Sequence, residues 1–192
     1  MLTSTHLGRA ALLTLTSGTM LAASLAGAGT AHATGIHPDG YSSVESCTGL
    51  SGSISWTPGL LTTKTRTEQA VLTGALTGCS GYNGPQAGTG TVTAILTGTS
   101  SLTATTQSGT LTINWPTGSG LNPSNATVTL RRTATNQPYT LAGTITSGAF
   151  TSAQLSTSLL PTTQTGTGTS RHPVTRQQYV NTTPLAARVN FG

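Results

Sequence analysis

The chain contains two cysteines, Cys47 and Cys79, and the residues between them mirror each other. Folding back at Thr62-Thr63-Lys64 sets Leu50 opposite Leu76, Ile54 opposite Leu72, Trp56 opposite Ala70 and Cys47 opposite Cys79. One antiparallel register therefore brings both thiols and the apolar residues into partner positions, which is what a disulfide-stapled β-hairpin requires. Because side chains alternate along a strand, Leu50, Ile54, Trp56, Ala70, Leu72 and Leu76 share an apolar face. Ser53, Ser55, Thr65, Thr67, Thr73 and Thr77 take the wet one.

The same alternation recurs downstream, and no stretch after residue 33 has the period of an amphipathic helix. Thr is the commonest residue, and its branched Cβ suits a pleated surface. Val92, Ala94 and Leu96 alternate with threonines over Thr89 to Thr97. Leu102 to Trp115 reads as a further strand whose apolar parity changes between Ala104 and Leu111, predicting a β-bulge at Gln107-Ser108-Gly109. Ala126, Val128 and Leu130 precede a turn at Asn136-Gln137-Pro138, beyond which Val128 is expected opposite Ile145 and Ala134 opposite Tyr139. A turn at Ser147-Gly148-Ala149 leads to Ala153, Leu155 and Leu159. Pro161 to Pro184 shows no sustained alternation and reads as a long loop, after which Leu185, Ala187, Val189 and Phe191 alternate again. The prediction is an all-β fold of about eight antiparallel strands. The short connections favour an up-and-down β-barrel over a two-sheet β-sandwich, since closure removes exposed edges.

Residues 1–33 have the grammar of a secretory signal: Arg9, an apolar segment from Ala10 to about Ala26, and the small-x-small site Ala31-His32-Ala33. The expected organisation is a signal peptide over 1–33, a flexible entry segment over 34–46, and a single β domain over 47–192 carrying the 161–184 loop. In a secreted, extracellular protein without other clustered ligands, the two cysteines are read as a structural disulfide. Thr and Ser interrupt the apolar segment of the signal, and no later stretch is apolar enough to span a bilayer as a helix, so the mature form is expected to carry no transmembrane helix. Loss of Arg9 reduces the formal net charge of +5 to about +4. The basic residues are scattered along the chain, which favours a solvated surface over nucleic-acid binding.

Leu76-Thr77-Gly78-Cys79, Gly88-Thr89-Gly90-Thr91-Val92-Thr93, Ser108-Gly109-Thr110-Leu111-Thr112-Ile113-Asn114-Trp115 and Ala142-Gly143-Thr144-Ile145-Thr146-Ser147-Gly148-Ala149-Phe150 carry a resemblance. In these segments the chain resembles small Thr/Gly-rich secreted proteins of actinobacteria of the streptomycete type, mostly of unknown function. The resemblance implies a β fold and a secreted setting, and it implies no activity. Such proteins often carry a second cysteine pair in their later strands, which this chain lacks.

The inventory of reactive groups argues against catalysis. The mature chain has three carboxylates, Asp39, Glu45 and Glu68, and two histidines, His37 and His172. No G-x-S-x-G elbow is present, and the carboxylates do not form the flanking pair of a glycosidase. His37-Pro38-Asp39 supplies two metal ligands without a third, so no metal or cofactor is expected. Binding is the better-supported class. The candidate ligand contacts are Trp56, Trp115, Tyr82 and Tyr139, although Trp56 and Trp115 share the parity of core residues Ile54 and Ile113. Arg171-His172-Pro173-Val174-Thr175-Arg176 is a candidate dock for an anionic wall polymer, set against the simpler reading of a solvated loop. The functional expectation is a secreted non-enzymatic protein that acts by surface or ligand contact, with a cell-wall polymer or a small ligand as partner. A carbohydrate- or small-ligand-binding module is the alternative.

Overall fold

Alternation of Thr and Ser with apolar residues builds eight antiparallel strands that close on themselves. They are β1 (Tyr41–Leu60), β2 (Arg66–Ser80), β3 (Gly88–Ser100), β4 (Thr105–Asn114), β5 (Ser124–Arg132), β6 (Tyr139–Ser147), β7 (Gln154–Thr165) and β8 (Val174–Asn190). Each pairs with its sequence neighbour and β8 returns to β1, giving an up-and-down barrel. This is a computed structural model describing residues 41–81 and 87–190. The expected signal segment 1–33, His37, Asp39 and Tyr82 lie outside the described residues.

The hairpin register is the one read from the sequence: Leu50 pairs with Leu76, Ile54 with Leu72 and Trp56 with Ala70. Cys47 and Cys79 face each other with their Cα atoms 3.9 Å apart and form a disulfide. Oxidising compartments sustain such bonds. An eight-stranded barrel is just wide enough for side chains to fill it. Leu50, Ile54, Leu72, Leu96, Leu111, Leu130, Leu141, Ile145 and Leu159 do so here, all buried. Tyr179 reaches past Gly52 of the intervening strand β1 to donate to the Thr73 carbonyl of β2 at 3.2 Å. Gly74 makes that possible, because a Cβ there would collide with the Tyr179 hydroxyl. The outer wall is mostly Thr and Ser. Among the described residues no helix is long and apolar enough to cross a membrane.

Four local expectations are corrected. The entry segment expected to be flexible over 34–46 is, from Tyr41 on, part of β1, held by backbone pairing of Tyr41 to Asn190 and Ser42 to Val189. The expected 161–184 loop shrinks to a turn over 166–173, because β7 runs on to Thr165 and β8 starts at Val174. Three register shifts between β7 and β8 and the inward-facing polar Gln177 erase the simple alternation there. Pro161 sits next to one of those shifts and beyond the end of β6, where a missing N–H is tolerated.

The bulge expected at Gln107-Ser108-Gly109 does not form: β4 keeps one register with both neighbours. Leu102 and Ala104 belong to the preceding turn, and the inward residues ahead of Leu111 are Thr105 and Gln107, both polar and buried. Finally, β5 and β6 pair two residues away from the expected register, with Ala126 opposite Ile145 and Val128 opposite Gly143. A two-residue shift preserves the faces. The turn that goes with this register is closed on the Ala134 carbonyl, which accepts from Gln137 N at 3.1 Å and from Arg132 Nε at 3.0 Å and so leaves Ala134 in the turn, unavailable to pair with Tyr139.

Candidate functional site: the basic end of the barrel

The up-and-down order sends the turns after β1, β3, β5 and β7 to one end and those after β2, β4 and β6 to the other. Charges that are scattered in sequence thereby become segregated in space. Lys64 and Arg171 lie in turns at the first end, and Arg66, Arg131, Arg132 and Arg176 lie on strands within three residues of it. His172 joins them in the β7–β8 turn. Against these six cations the described carboxylate at that end is Glu68, which is buried and already engaged. Arg188 and Glu45 lie toward the opposite end.

Three of the four turns at the basic end are knitted into a cap. Thr62 N and Oγ1 both donate to the Gly168 carbonyl, at 2.8 and 3.1 Å, and Leu102 N donates to the Leu61 carbonyl at 2.8 Å. Gly168 is buried in a left-handed conformation (φ 78°), and a Cβ on it would meet Leu102 at 2.6 Å and Thr62 at 2.8 Å. The His172 carbonyl gathers the N–H groups of Thr167, Gly168 and Thr169, which fixes the turn that presents Arg171.

Beneath the cap lies a polar layer. Glu68 accepts from Gly59 N at 2.7 Å and from Arg66 Nε at 2.6 Å, while Arg66 Nη2 donates to the Gly59 carbonyl. Gln107 Nε2 donates to Ser100 Oγ at 2.9 Å and to the Glu68 carbonyl at 3.4 Å. Arg132, 7% exposed, donates through Nε to the Ala134 carbonyl at 3.0 Å and through Nη1 to the Tyr139 hydroxyl at 3.3 Å. Its guanidinium carbon stands 4.9 Å from the centroid of the Tyr139 ring. Tyr139 in turn donates to Gln177 Oε1 at 2.8 Å. Burial pushes the Tyr139 phenol above its ordinary pKa, an effect the Arg132 charge opposes, so at neutral pH the hydroxyl keeps its proton.

The fourth turn, between β5 and β6, flanks a groove of about 310 Å³ lined by Arg131, Arg132, Thr133, Gln137, Pro138 and Thr140. At the opposite end Trp115 packs edge-on against Phe150, with ring centroids 5.5 Å apart, above a hollow of about 10 Å³ walled by Cys47, Ile113, Ile145, Leu155, Leu185 and Ala187.

The candidate contacts named from sequence do not converge on one surface. Trp56 and Tyr139 are 2% and 0% exposed and pack against each other inside the wall, centroids 6.0 Å apart, so neither offers a ring to solvent. Trp115 is half-buried at the far end, where its Nε1 donates to Ser124 Oγ at 3.0 Å. Arg131, Arg132 and Gln137 were not among those candidates. The adjacent Arg131-Arg132 pair at a strand end was the available signal, since alternation must send one outward and one inward. Among the described residues no group of three or more His, Cys, Asp or Glu is placed to hold a metal ion. Comparison with protein-family models, with curated proteins and with solved structures returns no match to this chain.

Proposed function

We propose that this protein is a secreted, non-enzymatic binding barrel that engages an anionic polymer of the cell wall through its basic end. The observation that supports this most directly is the segregation of Lys64, Arg66, Arg131, Arg132, Arg171 and Arg176 at one end, where the carboxylate among the described residues is the buried Glu68. Clustered charge of one sign raises the local concentration of a polyanion and steers its approach. The filled interior supports an external mode of binding, because side chains occupy the space a ligand would need. A disulfide-stapled, edgeless barrel suits a protein that works outside the cell, where unfolded segments meet proteases. The resemblance to secreted actinobacterial proteins agrees with that setting. The experiment is retention of the mature protein on immobilised polyphosphate and polyglutamate at rising salt. Retention at low ionic strength that weakens as the Debye length shrinks is expected. Equal retention on a neutral glycan matrix, insensitive to salt, would refute the polyanion reading in favour of a carbohydrate module.

A further inference from the structure

We propose that the groove beside the β5–β6 turn seats one oxyanion group, a phosphate or a carboxylate, held by Arg132 from the barrel interior and Arg131 from its outer face. The inference rests on the polyanion reading above and names the point at which one unit of the polymer docks. Its ground is the condition of Arg132. The side chain is 7% exposed, and its protein partners, the Ala134 carbonyl and the Tyr139 hydroxyl, are both neutral. The ion pair at this end of the barrel, between Arg66 and Glu68, does not involve it. A guanidinium has five N–H donors in a planar fork, and two are used here toward the protein. Burying a charge is costly unless it is paired, so a guanidinium supplied only with neutral acceptors gains from an anion within reach.

The rest of the lining suits such a ligand. Thr133 donates its hydroxyl to Gln137 Oε1 at 2.6 Å, which commits the amide oxygen and leaves the amide nitrogen to donate. Arg131 is exposed on the outer face of β5 and contributes to the same lining, as does Thr140. Among the described residues no carboxylate lines the groove. Its volume of about 310 Å³ is well above the roughly 10–15 Å³ that one water needs, enough for an oxyanion with part of the chain that carries it. A guanidinium fork matches two oxygens of a phosphate or carboxylate at once, a geometry an ammonium lacks. Arg171 and Lys64, on exposed turns, add attraction to the end as a whole.

The test is calorimetric titration of the mature protein with inorganic phosphate and, separately, with acetate, at constant ionic strength. Saturable binding of at least one probe is expected, and comparing the two tells which oxyanion the groove prefers. R132K should weaken it about tenfold, because the charge stays while the fork is lost. R131Q and Q137A, both at exposed positions, should also weaken it and cover the case in which Arg132 variants fail to fold. The double variant R171Q/R176Q should weaken it less than R131Q does, since those charges lie outside the groove lining and act through screened, longer-range attraction. Absence of saturation with both probes would overturn the proposal, as would equal weakening by R171Q/R176Q and R131Q. Polymer retention without small-anion binding overturns this inference and leaves the function standing. Small-anion binding without polymer retention does the reverse.

Discussion

Removing the Cys47–Cys79 bond tests how the barrel is held at its first hairpin. The two cysteines are 32 residues apart in sequence. On the chain-entropy model a loop of that length is worth about 3.5–4 kcal/mol, through restriction of the unfolded ensemble. Its removal should leave the native register intact, because Leu50–Leu76, Ile54–Leu72 and Trp56–Ala70 pair without it. A domain of this size loses about 2–4 °C of Tm per kcal/mol, so the Cys47→Ala/Cys79→Ala variant should melt about 7–15 °C lower with a native-like spectrum. Urea unfolding followed by tryptophan fluorescence is the assay, on oxidised wild type, reduced wild type and the variant. Reduction should reproduce most of the variant's loss and do nothing to the variant itself. If oxidised and reduced wild type unfold at the same urea concentration, the stapling argument is wrong. If the variant does not fold, the β1–β2 pairing is not self-sufficient.

Three further outcomes follow from named contacts. Burial raises the pKa of Tyr179 and of Tyr139, so the folded chain holds these protons more tightly than the unfolded chain does. That contribution is complete below the unfolded phenol value of about 10 and is lost as pH rises beyond it; a Tyr139→Phe/Tyr179→Phe variant should show a flatter alkaline limb in stability-against-pH measurements. Gly168→Ala combines a left-handed backbone with contacts to Leu102 and Thr62 that are too short, and should cost about 2–4 kcal/mol in unfolding free energy, read from the denaturant midpoint. Native-state hydrogen exchange should show the loss first at Thr62 and Leu102; unchanged protection there would reject the cap. Glu68→Gln should cost about 1.5–3 kcal/mol, since a buried carboxylate loses charge-assisted bonds from Gly59 and Arg66. Arg66→Gln should then cost less in the Glu68→Gln background than in wild type, and additivity of the two would argue against the pairing. That coupling is modest because the Arg66 side chain is a third exposed.

Where one apolar residue faces another, the fold was legible from sequence. The β1–β2 register could be read off Leu50, Ile54 and Trp56 because each has an apolar partner and the cysteines agree with them. Legibility failed where polar residues point inward. Gln107 and Thr105 inside β4 resembled a parity break, and at the end of β5 the bonds of Arg132 Nε and Gln137 N to the Ala134 carbonyl hold in the turn a residue that apolar pairing alone would place in the strand. Gln177 and the register shifts of β7 and β8 made two paired strands look like a loop. These inward polar side chains gather in the layer beneath the basic end, the same place where the candidate site lies. The site was invisible for a second reason. Lys64, Arg131 and Arg171 are far apart in the chain, and only the alternation of strand direction brings them to one end.

The most direct test of the account is where a polyanion touches the barrel. Amide chemical-shift perturbation of the labelled mature protein by short-chain polyphosphate should concentrate in the turns 61–65, 101–104, 133–138 and 166–173, and be largest around Arg131–Thr140. Perturbations centred on the turns near Trp115 and Phe150, or spread along the threonine wall, would contradict it.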